Sequence, residues 1–170
     1  MTINSDVPHE NLVDQDAFRA AMADLPAAVS IVTTVAWDGT PHGATVSAVS
    51  SLSMTPPLVL VCLDAASDTL SALSLGRSFL IHITAEGQQE TALAFAKKGP
   101  QKFDDTDWTF SESGQPLLAG AAIVLDCVVS DLLPGGDHTI VVGRICGIEH
   151  AEDRRPIVYH RRQMLASPAV

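Results

Sequence analysis

The densest run of chemically useful side chains lies between Gly43 and Pro57, GATVSAVSSLSMTPP. There Thr45, Ser47, Ser50, Ser51, Ser53 and Thr55 supply hydroxyls among small and β-branched residues. Hydroxyls and the backbone N–H groups between them bind a polar ligand without adding charge. The same residues also fit a strand whose polar face meets solvent and which runs into a proline-terminated turn, and composition leaves both readings open. A second candidate, Asp64-Ala-Ala-Ser-Asp-Thr-Leu70, sets Ser67 and Thr69 where a strand gives way to a helix, so that free N–H donors face a phosphate. Ser67 as a plain helix cap satisfies the same pattern. Asp64 and Asp68 oppose a phosphate, and the segment holds no base of its own. A cation would have to come from Arg77, Lys97, Lys98 or Lys102.

Gly135-Gly136-Asp137-His138 places a histidine at the start of a strand directly after a tight turn. Such a histidine either contacts a reactive ring or an anion, or is a surface residue, and spacing does not separate the two. His42, shortly after Asp38-Gly39, stands in the same position, whereas His82 inside SFLIHIT reads as a hydrogen-bonded sheet residue. Cys62, Cys127 and Cys146 are odd in number, lie in apolar runs and form no CxxC pair. That is the pattern of three buried reduced thiols, with neither a disulfide nor a zinc site. No GxGxxG follows a strand, and the P-loop, HExxH and GxSxG signatures are missing. Rossmann domains, P-loop NTPases, zincins and α/β-hydrolases therefore lack support.

The elements that would position these residues are mostly strands. AVSIVTTVA (28–36), HGATVSAVS (42–50), PLVLVCLD (57–64), SFLIHIT (78–84), AIVLDCVVSDLL (122–133), TIVVGRICGIEH (139–150) and PIVYHR (156–161) are strand-length and rich in β-branched residues. Asp38-Gly39 and Pro134–Asp137 stand at hairpin spacing, so both flanking pairs read as antiparallel. Helical spacing of Phe18, Ala21, Met22 and Leu25 predicts one amphipathic helix, capped by Asp14 or Asp16 and stopped by Pro26. Two more helices are expected: one from Ser67 to Leu75, stopped by Gly76, and one over about 86–98 with Leu93, Ala94 and Phe95 toward its apolar side. Strands that do not alternate with helices argue for a closed antiparallel barrel, meander or Greek key, with peripheral helices. Residues 1–13 read as a flexible arm and 14–170 as one domain.

Composition narrows the class further. The chain has 170 residues, 46% of them hydrophobic and only 18% charged, yet no apolar run approaches the length that spans a bilayer. Twenty acidic residues against ten basic ones give a net charge of −10, which disfavours nucleic acid as a partner. The first residues carry neither a basic start nor an apolar stretch, so no signal peptide is read and the cytoplasm is the expected compartment. The surplus of apolar side chains over what one small barrel hides predicts a homodimer.

At these residues the chain resembles the short-chain flavin reductases, the small reductase components of two-component flavin monooxygenases. The resemblance runs from Phe18 to about Arg162 through FRAAMADLPAAVSIVTT, DGTPHGATVSAVSSLSMTPPLVLVCLD, SDTL, GRSFLIHIT, FAKKGPQKF, GQPLLAGAAIVLDCVV and GGDHTIVVGRI. It implies a mainly β, antiparallel Greek-key split barrel of the FMN-binding type, and an NAD(P)H-dependent flavin reductase using FMN or FAD with NADH or NADPH. It also implies a partner monooxygenase that receives reduced flavin by diffusion. The IVYHRR ending is most similar to reductases serving aromatic-ring or aromatic polyketide oxygenases. Carried onto this sequence, the resemblance sets His42, Gly43, Ala44, Thr45, Val46, Ser47, Ala48, Ser51 and Ser53 along the isoalloxazine and ribityl chain, with Cys62, Leu63 and Asp64 at their border. It sets Ser67 and Thr69 at the phosphate and closes Phe95, Lys102 and Phe103 over the flavin edge. Asp137, His138 and Tyr159 stand at the nicotinamide, His138 positioning it without acid–base work, and no metal is implied. His82 replaces the asparagine usual in the matching strand, and Ala48-Val49 replaces Ser-Phe. The alternative is a flavin- or ligand-binding barrel of the same architecture without turnover.

Overall fold

The computed structural model describes residues 12–168. Residues 1–11 of the expected arm lie outside the described residues, while Leu12 and Val13 are exposed. The chain is mainly β. Its strands are β1 (Ala27–Ala28), β2 (Ser30–Val35), β3 (Pro41–Val46), β4 (Val49–Met54), β5 (Pro57–Asp64), β6 (Ser78–Ile83), β7 (Trp108–Phe110), β8 (Pro116–Leu118), β9 (Ile123–Gly135), β10 (His138–His150), β11 (Ile157–His160) and β12 (Gln163–Ala166). The described residues also hold three short α-helices, α1 (Gln15–Ala23) before the first strand and α2 (Asp68–Ser71) and α3 (Gln89–Phe95) between strands.

Seven strands form one antiparallel sheet in the order β3-β2-β6-β9-β10-β5-β4. The non-consecutive neighbours β2–β6, β6–β9 and β10–β5 exclude a simple meander. Laid flat, the edge strands β3 and β4 would stand about 29 Å apart at the usual strand spacing. In the chain only Ser47 and Ala48 separate them, a link that reaches roughly 11 Å at most. The sheet must therefore curl. One buried cluster shows the result, because Val32 of β2 packs with Val59, Val61 and Leu63 of β5, with Phe79, Ile81, Cys127, Val129 and Val141 filling the space between. Register shifts at Val142/Gly143 and Ile145/Gly147 bend β10 along the way. Gly143 leaves room for the Phe79 ring, since a Cβ there would meet Phe79 Cζ at 2.7 Å.

The outer face of β2 and β6 is also covered. Ile31 packs with Phe95, Phe103 and Leu118, and Leu80 packs with Ala121 and Val124. A small sheet, β1-β11-β12, closes one end through Val29, Ala92 and Ile157, with Tyr159 and Met164 against them.

Several expectations need correction. The strand expected over 42–50 is two strands, because the chain turns a corner at Ser47-Ala48 to pair with β5 on the opposite edge. No Gly or Pro marks that corner. The expected helix over 67–75 is a single turn, after which Leu73 drops into the core; Gly76, at φ +81°, turns the chain toward β6 and donates its N–H to Val129. In α3 the buried residues are Ala92 and Phe95, and Leu93 faces solvent. α1 begins at an Asp14 cap but buries none of its residues, leaving Phe18 and Met22 exposed. All three thiols are free, yet only Cys127 is buried, where desolvation pushes its thiol up to about 12; Cys62 is half-buried and Cys146 exposed. The β10 bulge turns Cys146 outward.

His82 is the hydrogen-bonded sheet residue expected. It is buried, its Nδ1 lies 3.1 Å from the Ile31 carbonyl and its Nε2 accepts the Leu118 N–H at 3.1 Å. Both bonds suit a neutral ring. Desolvation pushes its pKa from 6.5 down to about 4. Between those values the unfolded chain holds a proton that the folded chain does not. The contribution of His82 is thus complete above pH 6.5 and falls by about 3 kcal/mol as the pH drops to 4. Urea midpoints from pH 7 to 4.5 should track this loss and flatten between pH 6.5 and 5 in His82→Asn. An unchanged slope in that variant would place the titrating group elsewhere.

Candidate active site beside the edge strand

A cleft of about 630 Å³ opens where β3, the end of β5, α2 and the segment after α3 meet. One wall is β3 itself, an edge strand with β2 on only one side. Its even positions, Ala44 and Val46, pack toward the main core. Its odd positions face α3. A Cβ at Gly43 would meet the Phe95 ring at 2.5 Å, so glycine is what lets Phe95 lie against the strand. The Thr45 hydroxyl donates to the Ala92 carbonyl at 2.6 Å and ties the same strand to the same helix.

Lys102 completes this wall. It sits in a 3-10 turn (Pro100–Phe103), and its Nζ donates to the Gly43 carbonyl at 2.8 Å and the Phe95 carbonyl at 3.4 Å. Burial lowers the ammonium from its usual value, against the opposing pull of the Asp68 carboxylate. Phe103 from the same turn meets Phe95 edge-to-face at 4.9 Å, and Trp108 meets Phe103 at 5.3 Å. Aromatic pairs of this kind each contribute about 1 kcal/mol beyond area burial.

The opposite wall is built by register. β5 and β10 pair Cys62 with Ile140, Leu63 with Thr139 and Asp64 with His138, and the Ala65 N–H reaches the Asp137 carbonyl at 2.9 Å. Asp64 accepts the Ala66 N–H at 2.7 Å and starts the turn into α2. Ser67 stands at the N-cap position but makes no capping bond, which leaves its hydroxyl for a ligand. Thr69, two residues on, is buried and lines the cleft. His138 Nδ1 lies 2.7 Å from Asp137 Oδ1; that hydrogen bond, and then the charge, hold the Asp137 carboxyl below the usual range. With Nδ1 on the carboxylate, Nε2 is left for a ligand.

The cleft thus brings together His42, Gly43, Ala44, Thr45, Val46, Ser47, Ala48, Cys62, Leu63, Asp64, Ser67, Thr69, Phe95, Lys102, Phe103 and His138. Asp137 joins through His138. Ser51, Ser53 and Tyr159 do not line it: β4 runs away along the far edge after the corner, and Tyr159 packs on Val29 and Ala92. Arg77 is also elsewhere, stacked on Trp37 at 4.1 Å and donating to the Val35 carbonyl. Thr40, Pro41, Ala66, Asp68 and residues 96–99 line the cleft as well. Of these, the sequence singles out Asp68, Lys97 and Lys98, the acid as opposing a phosphate and the lysines as cations for it, while the others carry no signal. Among the described residues no group of three or more His, Cys, Asp or Glu is placed to hold a metal, and no helix is long and apolar enough to cross a membrane.

Comparison with known proteins follows the same outline. The model of the flavin reductase like domain matches residues 22–167. The flavin reductase (NADH) of Kitasatospora aureofaciens is 37% identical over 160 residues, covering 92% of this chain and 84% of the relative. The reductase component of the 4-nitrophenol 4-monooxygenase/4-nitrocatechol 2-monooxygenase of Rhodococcus opacus is 41% identical over 149 residues, covering 88% and 79%. The solved NADH:FAD oxidoreductase of Streptomyces globisporus superposes with a TM-score of 0.84 at 32% identity, covering 94% of this chain and 99% of that one. A match over most of the chain, with the same fold throughout, places this chain in the flavin reductase-like family.

Proposed function

We propose that the chain is an NAD(P)H:flavin oxidoreductase that reduces FMN or FAD with NADH or NADPH and supplies reduced flavin to a partner monooxygenase. The cleft carries this reading. Its volume of about 630 Å³ suits a cofactor-sized ligand, and its polar lining combines backbone groups and hydroxyls along β3 and α2 with lysines after α3, which fits a polar heterocycle that carries a phosphate. A flavin bound there would supply the acceptor for a hydride from the nicotinamide.

The chain's own residues bind, orient and shield. The backbone and small side chains from His42 to Ala48, with Cys62, Leu63 and Asp64 opposite, serve the ring and ribityl chain. Ser67 and Thr69 serve the phosphate through neutral donors. Phe95, Lys102 and Phe103 wall off one side from water, and His138, oriented by Asp137, positions the nicotinamide. Relatives that are reductase components of monooxygenases support the downstream partner. The curled sheet, its two edges close but not bonded to each other, supports a Greek-key split barrel over residues 14–170. The free thiols are in keeping with the cytoplasm.

A homodimer fits the apolar surface. Phe18, Met22 and Leu25 are each about half exposed in and just after α1, as are Leu133 and Ile148 on the long hairpin. A second copy covering such faces would bury roughly 2,000 Å² or more in total.

Three outcomes are expected. In anaerobic stopped-flow mixing, NADH or NADPH bleaches the visible band of FMN or FAD, and His138→Ala slows that step roughly ten-fold while flavin affinity holds. No bleaching with any flavin and either nucleotide would reduce the protein to a ligand-binding barrel. Replacing Ser67 and Thr69 by Ala weakens FMN by about ten-fold or more and riboflavin hardly at all, because only FMN brings a phosphate to the hydroxyls. Equal losses in a fluorescence titration would make the pair structural. Sedimentation equilibrium at low micromolar concentration shows twice the chain mass; a folded, active monomer would end the dimer reading.

A further inference from the structure

Every lysine of the chain, Lys97, Lys98 and Lys102, lines the one cleft described above, in a protein with twenty acidic residues and ten basic ones. No arginine lines it. Lys102 is committed to the carbonyls of Gly43 and Phe95. Lys97 and Lys98 are exposed, and the ion pairs among the described residues use Arg19, His138, Arg155 and Arg161 instead. Two ammonium groups without a carboxylate partner among the described residues are unusual where acids outnumber bases two to one.

The backbone fixes where these two stand. The Lys97 N–H bonds the Ala94 carbonyl at 3.2 Å as α3 ends. Gly99 then takes φ 110°, ψ 166°, a region that favours glycine, and the 3-10 turn that follows is bolted to β3 by Lys102. The lysine pair is thus held between two anchored segments at the mouth of the cleft. The C-terminal dipole of α3 stabilises the cations there when nothing is bound.

Charge is spread unevenly over the cleft lining. At the α2 end, Ser67 and Thr69 offer neutral donors flanked by Asp64 and Asp68, which disfavour any charge beyond a single phosphate. At the α3 end, two unpaired cations face a ligand in a protein whose overall field repels anions. We infer that Lys97 and Lys98 form a second anion subsite, which takes the diphosphate of a dinucleotide, FAD or the nicotinamide coenzyme, and so favours dinucleotides over FMN and riboflavin. This rests on the reductase reading of the same cleft, and it adds to that reading a specificity element at residues the flavin contacts do not use.

Calorimetric titration of the full chain and of the double variant Lys97→Ala/Lys98→Ala with ADP-ribose, FAD, FMN and riboflavin tests it. ADP-ribose should bind about ten-fold more weakly to the variant, the loss expected from two solvent-exposed charge-assisted contacts, and its affinity should lose most of its salt dependence. FMN and riboflavin should keep their Kd within two-fold, and Lys97→Arg/Lys98→Arg should restore ADP-ribose binding. Both positions are exposed, and an unchanged Tm confirms that the variant folds. The two sources of the diphosphate then separate. A weakened FAD with an unchanged KM for NADH assigns the subsite to the flavin dinucleotide. A raised KM for NADH, with reduced nicotinamide mononucleotide and FAD unaffected, assigns it to the nicotinamide coenzyme. ADP-ribose bound equally by both proteins, or FMN weakened as much as FAD, overturns the inference. Wild-type protein that binds ADP-ribose through the pair but bleaches no flavin overturns the reductase reading alone.

Discussion

A seven-stranded sheet whose first and last strands are joined by two residues has no freedom to lie flat. The Ser47-Ala48 corner forces the curl, and the curl lets inward side chains from strands four places apart share one core. The corner also sets the position of the cleft. Val46, Ser47 and Ala48 line it, and the Ala48 carbonyl accepts the Cys62 N–H at 3.1 Å, so the cleft lies on the seam of the sheet. An edge strand normally threatens unwanted pairing and is blunted. Here β3 carries its edge into a walled cleft, where Lys102 takes up the Gly43 carbonyl and the surrounding wall keeps a second strand away.

That wall depends on a missing side chain. Because Gly43 has no Cβ, Phe95 seats on β3; because Phe95 seats there, Phe103 and then Trp108 stack behind it. Lys102 locks the arrangement through two main-chain carbonyls, which spends its charge on structure. The contact chain continues to Phe110 and so couples the small β7–β8 sheet to the cleft. A methyl group added at Gly43 disturbs every member of the series.

Much of the strand framework was legible, because β5, β6, β9 and β10 are long β-branched runs bounded by Gly, Pro and Asp. Their hairpin turn at Pro134–Asp137 carries its own chemistry. The corner at Ser47-Ala48 was not, since it holds no Gly, Pro, Asn or Asp and its serine is one of several in the same run. β7, β8 and β12 are too short to show a period, and α2 has only one turn. Within the site, the hydroxyl-rich run and the turn histidine stood out by composition. The residues that link walls across space, such as Phe95 with Gly43 and Asp64 with His138, become neighbours only through pairing register. Ser51 and Ser53 share the hydroxyl signal with Ser47, but the corner sends them along the opposite edge.

The placement of the lysines has a practical side. Apart from the chain's amino terminus, the primary amines of this protein all stand around one cleft. Lys102 is hydrogen-bonded and part-buried, so acylating dyes, biotin esters and amine-coupling surfaces meet Lys97 and Lys98 first. Immobilisation by amines would therefore tether the molecule by the mouth of its site. Attachment through the exposed thiol of Cys146 on β10 uses a residue that does not line the cleft and leaves the mouth open.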